Sequence, residues 1–365
     1  MAAIFCLLAG VTGCEGGPEP APVVEQPDAA PSATDGSGPA APTPAPEPSE
    51  LPDPAVTAES AAGLGVPWAM ALLPDGTLII TERDTAEVKR LVDGRVEVIG
   101  VVEDALSAGG EGGLLGVAVP PDFSDVPRLY LYYTSPTDNR VVSMSYDGNG
   151  LGETAAVLTG IPRANIHNGG RIKFGPDGYL YIGTGDASNA SLAQDPASLG
   201  GKILRVTADG APAPGNPFDS AVYSLGHRNV QGLAWDSTGR LWASEFGPDR
   251  DDELNLIVPG GNYGWPLVTG APGEEGFLDA RVVWPSTATS SPSGMAIVGD
   301  VAYIGGLRGE RLWRVPLADG SAGEPASFFD GAYGRLRDTI AGEDGGLLIA
   351  TNETGGSRIL RVEMQ

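Results

Sequence analysis

His167 is one of only two histidines in a chain of 365 residues, and it sits among glycines in the run NIHNGG. Asp186 follows in a second glycine-rich turn, at the end of RIKFGPDGYLYIGTGDAS. Histidine is the usual general base near neutral pH, and a carboxylate on its second ring nitrogen orients the imidazole and raises its basicity. A hairpin between the two would bring its ends together and make the pair. On spacing alone the histidine is as readily structural, so both readings stand at this level.

Three further clusters carry chemistry. His227-Arg228-Asn229 lies in YSLGHRNVQGLAWD, and arginine offers a rigid fork suited to carboxylates. Arg335 and Arg337 in GRLRD are two apart, hence on one face of a strand, and with Arg308 they would form a pocket for a polyanion. The alternatives are a turn-stabilising cluster and a solvated edge. EFGPDRDDELNLIVPGGNYGWP reads as a hard-cation site, since acids and exposed carbonyls suit Ca²⁺ better than Zn²⁺. The chain has no Cys/His cluster for zinc, no GxGxxG opening a βαβ unit and no GxSxG elbow, which argues against zinc, nicotinamide and serine-hydrolase chemistry.

These residues need elements to position them, and one pattern recurs. A turn with Asp or Gly precedes a short β-rich strand in PDGTLIITE, PDFSDVPRLYLYYT, GPDGYLYIGTGD, DSTGRLWASEFG, GDVAYIGGLRG and EDGGLLIATNETG, at intervals of about 45 to 62 residues. A second strand follows as EVKRLV, KILRVT, ELNLIV, RLWRVP or RILRVE. Alternating strands bounded by Asp-Gly turns are hairpins, and repeats of this length with about four strands each are propeller blades. Six evenly placed copies predict an all-β, six-bladed β-propeller over a β-sandwich or β-helix. The polar, glycine-rich strand endings GEGGLLG, HNGG, GTGD, GHRN, EFGPDRDDE and GGLRG are where the site belongs.

The N-terminal part is different. Residues 1–14 end in VTGC after a short apolar run and resemble a lipoprotein signal ending at Cys14, though no Lys or Arg precedes the run. Residues 15–58 read as a disordered Pro/Ala/Glu-rich tether: 12 of the 32 prolines and eight acids precede residue 55, and the first basic residue is Arg83. The propeller domain is expected over 59–365, in the periplasm or at the cell surface, touching a membrane only through a lipid anchor at Cys14. The residues from 55 on carry −17 of the chain's −25 charge, which excludes nucleic acid as a partner because phosphate binding needs a basic footprint.

Taken together, GVPWAMALLPDGTLIITER, GGEGGLLGVAVPPDF, HNGGRIKFGPDGYLYIGTGDAS, GHRNVQGLAWD, EFGPDRDDELNLIVPGGNYGWP, LRGERLWRV and GRLRD resemble the soluble pyrroloquinoline quinone (PQQ)-dependent glucose and sorbosone dehydrogenases. In its compact length the chain is most similar to the aldose sugar dehydrogenase branch, and the likeness runs from about Gly63 to Val362. The resemblance implies PQQ and Ca²⁺ as cofactors and oxidation of aldoses at C1 to lactones. Electrons would pass to a quinone, a cytochrome or an artificial dye, from a monomer or homodimer.

It further implies His167 as the base for the C1 hydroxyl, Asp186 as its support and Arg228 beside the reactive carbonyl of the quinone. Glu111 falls near substrate and cofactor, where the glucose branch has glutamine, which bears on sugar preference. Asn229 corresponds to a cofactor contact, Arg308 stands where some members carry lysine, and Arg335 and Arg337 match the pair on the cofactor's carboxylates. The carbonyls of Gly247 and Pro248 correspond to ligands of the catalytic Ca²⁺, with Asp252 nearby, and Glu253 with the carbonyl of Tyr263 to a second Ca²⁺ site. The rival readings are a Ca²⁺-dependent lactonase built on the same kind of propeller and a non-catalytic sugar- or protein-binding propeller.

Overall fold

The structure, a computed structural model, describes residues 51–365 other than 107–109 and 354–355. The expectations for the signal segment 1–14 and for most of the tether lie outside the described residues. The first strand among the described residues, β1 (Pro54–Leu64), belongs to blade 6. Blade 1 is β2 (Pro67–Leu72), β3 (Leu78–Glu82), β4 (Glu87–Val92) and β5 (Arg95–Val101). Blade 2 is β6 (Leu114–Ala118), β7 (Arg128–Thr134), β8 (Asn139–Tyr146) and β9 (Leu151–Ile161). Blade 3 is β10 (Ile172–Phe174), β11 (Leu180–Gly183), β12 (Lys202–Val206) and β13 (Val222–Leu225). Blade 4 is β14 (Val230–Trp235), β15 (Leu241–Glu245), β16 (Asp252–Ile257) and β17 (Val282–Trp284). Blade 5 is β18 (Pro292–Val298), β19 (Val301–Gly306), β20 (Arg311–Ala318), β21 (Ser321–Ala322) and β22 (Ala326–Phe328). Blade 6 is completed by β23 (Leu336–Ala341), β24 (Leu347–Thr351) and β25 (Ser357–Met364), with β1 as its outermost strand.

The inner strands β2, β6, β10, β14, β18 and β23 contact one another in that order, and β23 returns to β2. This is the six-bladed ring expected from the repeats, and each of the six repeated segments is the second strand of its blade. The recurring aspartate has a local cause. Asp75, Asp177, Asp236 and Asp344 each accept a backbone N–H two residues on, at 2.9, 3.2, 3.0 and 3.1 Å, which closes the hairpin as an Asx turn. The glycine in the turn supplies the left-handed backbone, as at Gly178 with φ 78°.

Strands β3, β6 and β15 are buried at every position because neighbouring blades cover both their faces. That explains why they show no strict alternation and why the polar residues at the ends of β3 and β15, Thr81, Glu82, Ser244 and Glu245, are buried too. The outer β5 and β9 face solvent and are mostly exposed or half-buried.

The ring is closed by sequence-distant partners. β1 runs antiparallel to β25 from Pro54↔Met364 to Leu64↔Ser357. The ordered domain therefore begins ahead of residue 59, and residues 54–58 form strand instead of tether. Their composition, PAVTA, is that of the preceding segment, which hid the boundary. Across the channel, Asp338 of blade 6 accepts the Met70 N–H of blade 1 at 2.8 Å and pairs with Arg171, just before β10, at 3.0 Å. Arg171 also donates to the Gln231 carbonyl of blade 4 at 2.8 Å. Gly294 of blade 5 is required there, since a Cβ would lie 1.9 Å from the Asp338 carboxylate. These contacts join five blades beneath the site. No helix among the described residues is long and apolar enough to cross a membrane.

Candidate active site

The chain enters every inner strand at the same end of the ring, and the second strand of each blade finishes there. At that end lies a cavity of about 410 Å³. Trp68 and Arg83 reach it from blade 1, Glu111 from blade 2, His167 from blade 3, Arg228, Gly247, Pro248 and Asp252 from blade 4, Arg308 from blade 5, and Arg335 and Arg337 from blade 6.

His167 sits in the left-handed region, with φ 60°. A non-glycine residue there is strained, and such strain is held in place where surrounding contacts over-determine it. The contacts are specific. Its N–H donates to Glu111 Oε2 at 2.7 Å, and its carbonyl accepts the Ala187 N–H at 3.1 Å. Its Nδ1 lies 2.8 Å from Asp186 Oδ1. The other Asp186 oxygen accepts Trp265 Nε1–H at 2.8 Å, and the Ser188 N–H donates to Oδ1 at 2.8 Å. Burial pushes the Asp186 carboxyl up, but the hydrogen bonds from His167, Trp265 and Ser188 outweigh it and hold it below its ordinary value. An ionised Asp186 fixes the proton of His167 on Nδ1, so Nε2 is the nitrogen left to accept a proton. The hairpin β10–β11 joins the two residues, as their spacing suggested.

The arginines have an unusual electrostatic situation. None of Arg228, Arg308, Arg335 and Arg337 has an ion pair among the described residues. Arg337 is buried, and its NH1 meets only the neutral Gln231 Oε1 at 3.2 Å and Ser293 Oγ at 3.4 Å. Burial, then the charges of Arg83, Arg335 and Arg171, push its guanidinium down to about 9. Among the described residues, the buried Nε atoms of Arg337 and Arg228 have no hydrogen-bond partner. Buried cations without counter-charges are costly, and a multiply charged anion in the cavity would relieve them. Arg83, which the sequence reading did not single out, lines the same cavity, though it is paired with Asp84 at 2.6 Å; its only signal was that basic residues are scarce.

Asn229 takes a different place from a cavity contact. It is buried behind the wall, where its Oδ1 accepts the Gly169 N–H at 3.0 Å and Gln231 Nε2–H at 3.2 Å. Neither Asp186 nor Asn229 lines the cavity; both hold its lining. Glu245 was also missed, and it organises the neighbouring turn. Its carboxylate accepts the backbone N–H groups of Arg228 and Asn229 and lies 2.8 Å from His227 Nδ1. His227 is buried, with Nε2 2.8 Å from Ser224 Oγ and its ring stacked on Tyr263. The second histidine is thus structural.

Gly247, Pro248 and Asp252 form one wall. Burial pushes Asp252 up to about 6, although the N–H groups of Ser291 and Gly247 donate to its oxygens at 2.7 and 2.9 Å. Glu253 and Tyr263 lie outside the main cavity, around a small adjoining hollow shared with Glu245, Gly247 and Pro248. Glu253 and Glu245 are cross-strand neighbours, both buried, and burial followed by the Glu245 charge pushes Glu253 up. No group of three or more His, Cys, Asp or Glu converges on a metal position among the described residues. A cation here would depend on backbone carbonyls with isolated carboxylates, an all-oxygen donor set that fits Ca²⁺.

Comparison with known proteins gives a consistent picture. Residues 64–361 match the family model described as Glucose / Sorbosone dehydrogenase. The structure of the PQQ-bound form of aldose sugar dehydrogenase from Streptomyces coelicolor shares 48% identity at a TM-score of 0.84, covering 89% of this chain and all of that one. Aldose sugar dehydrogenase YliI of Escherichia coli is 30% identical over 328 residues, which is 80% of this chain and 88% of the relative. Quinoprotein glucose dehydrogenase B of Acinetobacter calcoaceticus is 35% identical over 258 residues, 60% of this chain and 54% of the relative.

Proposed function

Since the chain belongs to the glucose / sorbosone dehydrogenase family, we propose that it is a PQQ-dependent oxidoreductase that converts aldoses to lactones at C1. The single observation that supports this most is the cavity in which His167, backed by Asp186, faces a cluster of arginines, four of which make no ion pair among the described residues. PQQ carries three carboxylates, and Arg335, Arg337 and Arg308, with Arg83, are the residues that would hold them. The carbonyls of Gly247 and Pro248, with Asp252 nearby, would hold a Ca²⁺, and Glu253 and the Tyr263 carbonyl a second one. When bound, the quinone supplies the two-electron oxidant that accepts hydride from C1, with the metal as Lewis acid.

The chain's own residues do the rest. His167 Nε2 takes the proton of the C1 hydroxyl while the C1–H bond breaks, which leaves the lactone carbonyl. Asp186 stabilises the imidazolium that forms. Arg228 places a positive charge where negative charge builds up. Glu111, which holds the His167 backbone, also presents a carboxylate to the cavity and would bear on which aldose is preferred. The supporting Asp186 pair, the arginines and the family membership favour this reading over a lactonase or a binding propeller. Electrons would leave to a quinone or cytochrome. The VTGC sequence supports a lipid anchor at Cys14 and a periplasmic or cell-surface location.

The test is reconstitution. Purified apoprotein is titrated with PQQ and Ca²⁺, and dye reduction is followed over a panel of aldoses, with PQQ-free and EDTA-treated controls. Sugar-dependent reduction that needs PQQ supports the proposal; absence of PQQ binding overturns it and leaves the binding propeller. The arginine assignment has its own expected result. Arg337→Met should weaken PQQ affinity by about 100-fold or more, as expected for loss of a desolvated charge pair. The melting temperature of the apoprotein should hold or rise, because a buried unpaired cation is removed. A PQQ titration and a thermal melt of the same preparation read both, and unchanged affinity would sink the assignment.

A further inference from the structure

We infer that Trp265 is the positioning residue of this site, one indole that fixes both the carboxylate behind His167 and the guanidinium of Arg228. The inference rests on the reading of His167 as the base. Trp265 lies 79 residues from Asp186 in sequence, on the loop after β16, and donates its Nε1–H to Asp186 Oδ2 at 2.8 Å. The same ring lies beneath Arg228, whose guanidinium carbon is 5.5 Å from the ring centroid. A carboxylate held through one oxygen can swing about its terminal bond; held through both, it keeps the plane in which it meets the imidazole.

The residue that carries the indole is itself held through its backbone. The Trp265 backbone N–H donates to the Gly226 carbonyl at 2.9 Å, and the Trp265 backbone carbonyl accepts Gln194 Nε2–H at 2.7 Å. Gln194 and Asn262 exchange two further amide hydrogen bonds, at 3.0 and 2.8 Å. The turn carrying Gln194 is clasped by the buried Lys202 ammonium, which donates to the carbonyls of Leu192, Ala193 and Gly200. A chain of this kind has little purpose for a surface loop. It makes sense as the scaffold of a donor that must not move.

The indole also sets how strongly Asp186 pulls on the imidazole, since each donor to a carboxylate spreads its charge. The charged groups around His167 are Asp186 from its own blade, Glu111 from blade 2 and Arg228 and Asp252 from blade 4, with Arg83, Arg308, Arg335 and Arg337 on the other walls of the cavity. Of these, Trp265 touches Asp186 and Arg228.

The experiment uses the two histidines. In apoprotein labelled with ¹⁵N-histidine, the imidazole signals of His167 and the buried His227 are followed through a pH titration. Trp265→Phe keeps a ring under Arg228 and removes the N–H. The expected result is an upward move of the His167 titration by about half to one pH unit, because Asp186 has lost a donor. His227 signals should stay in place. After PQQ loading, the acid limb of kcat/KM should move by the same amount and kcat should fall about tenfold, with KM within threefold. If Trp265→Phe fails to fold, benzothienylalanine at position 265 keeps the shape and lacks the N–H. A folded variant whose His167 titration and acid limb match wild type overturns the inference. A shifted titration in a protein without PQQ-dependent turnover would uphold the positioning role and remove the catalytic reading.

Discussion

Replacing His167 should lower kcat by about a thousandfold, within the range for removal of a general base, while PQQ affinity changes no more than a few-fold. The expectation follows from two observations. The ring presents Nε2 to the cavity because Asp186 holds Nδ1, and no other histidine reaches the site. The choice of substitution matters. At φ 60° an alanine would be strained, whereas asparagine is among the residues that tolerate this conformation, so His167→Asn separates lost chemistry from a disturbed turn. Turnover of the reconstituted variant, its PQQ titration and its melt are the three measurements. A kcat within tenfold of wild type, in a variant that binds PQQ normally, would remove His167 from the mechanism and with it the proposed proton path.

The second large effect concerns folding. A chain beginning at Gly65 lacks β1 and should be unfolded or aggregated at 25 °C, whereas one beginning at Leu51 should melt as the whole chain does. Without β1, the β25 edge is bare and Leu64 and Ala61, 3% and 8% exposed, lose their place in the apolar cluster that joins blades 6 and 1. Losing a buried leucine costs about 2–5 kcal/mol and each ladder hydrogen bond about 0.5–1.5 kcal/mol. Together these approach the roughly 5–15 kcal/mol that stabilises an ordinary domain. A bare edge strand also invites pairing with other chains. A chain beginning at Glu59 keeps the Leu64 half of β1 and should melt between the two. Circular dichroism of the three proteins decides it: equal melting temperatures would mean that the ring does not need this closure.

Much of the ring was legible because its signals are local. The Asx turns at Asp75, Asp177, Asp236 and Asp344 and the strands after them lie within a few residues of one another, so the six second strands stood out. His167 and Asp186 were legible for the same reason: one short hairpin carries both. What escaped depends on partners far apart in sequence. Trp265 meets Asp186 across 79 residues, and nothing in GNYGWP marks that indole as a donor. Glu245 looks like any strand-end acid until Arg228 and Asn229 fold over it. The strand β1 escaped because it carries no alternation to read: only Pro54, Ala61 and Leu64 are buried, its register shifts three times, and its composition merges with the segment before it. Asn229 came from the resemblance as a cofactor contact; its burial behind the cavity wall depends on Gly169 and Gln231, which no local pattern ties to it.

The position of β1 has a consequence for biosynthesis. The ribosome makes β1 ahead of every other described strand, and its partner β25, Ser357–Met364, comes last among them. At about 5–20 residues per second, the nascent strand waits on the order of tens of seconds for a partner to exist. Blade 6 is therefore completed only once β25 has been made, however early the other blades settle. The sequence PAVTAESAAGL suits such a delay, because an alanine-rich strand with a glutamate at its centre offers little for a neighbouring nascent chain to grasp.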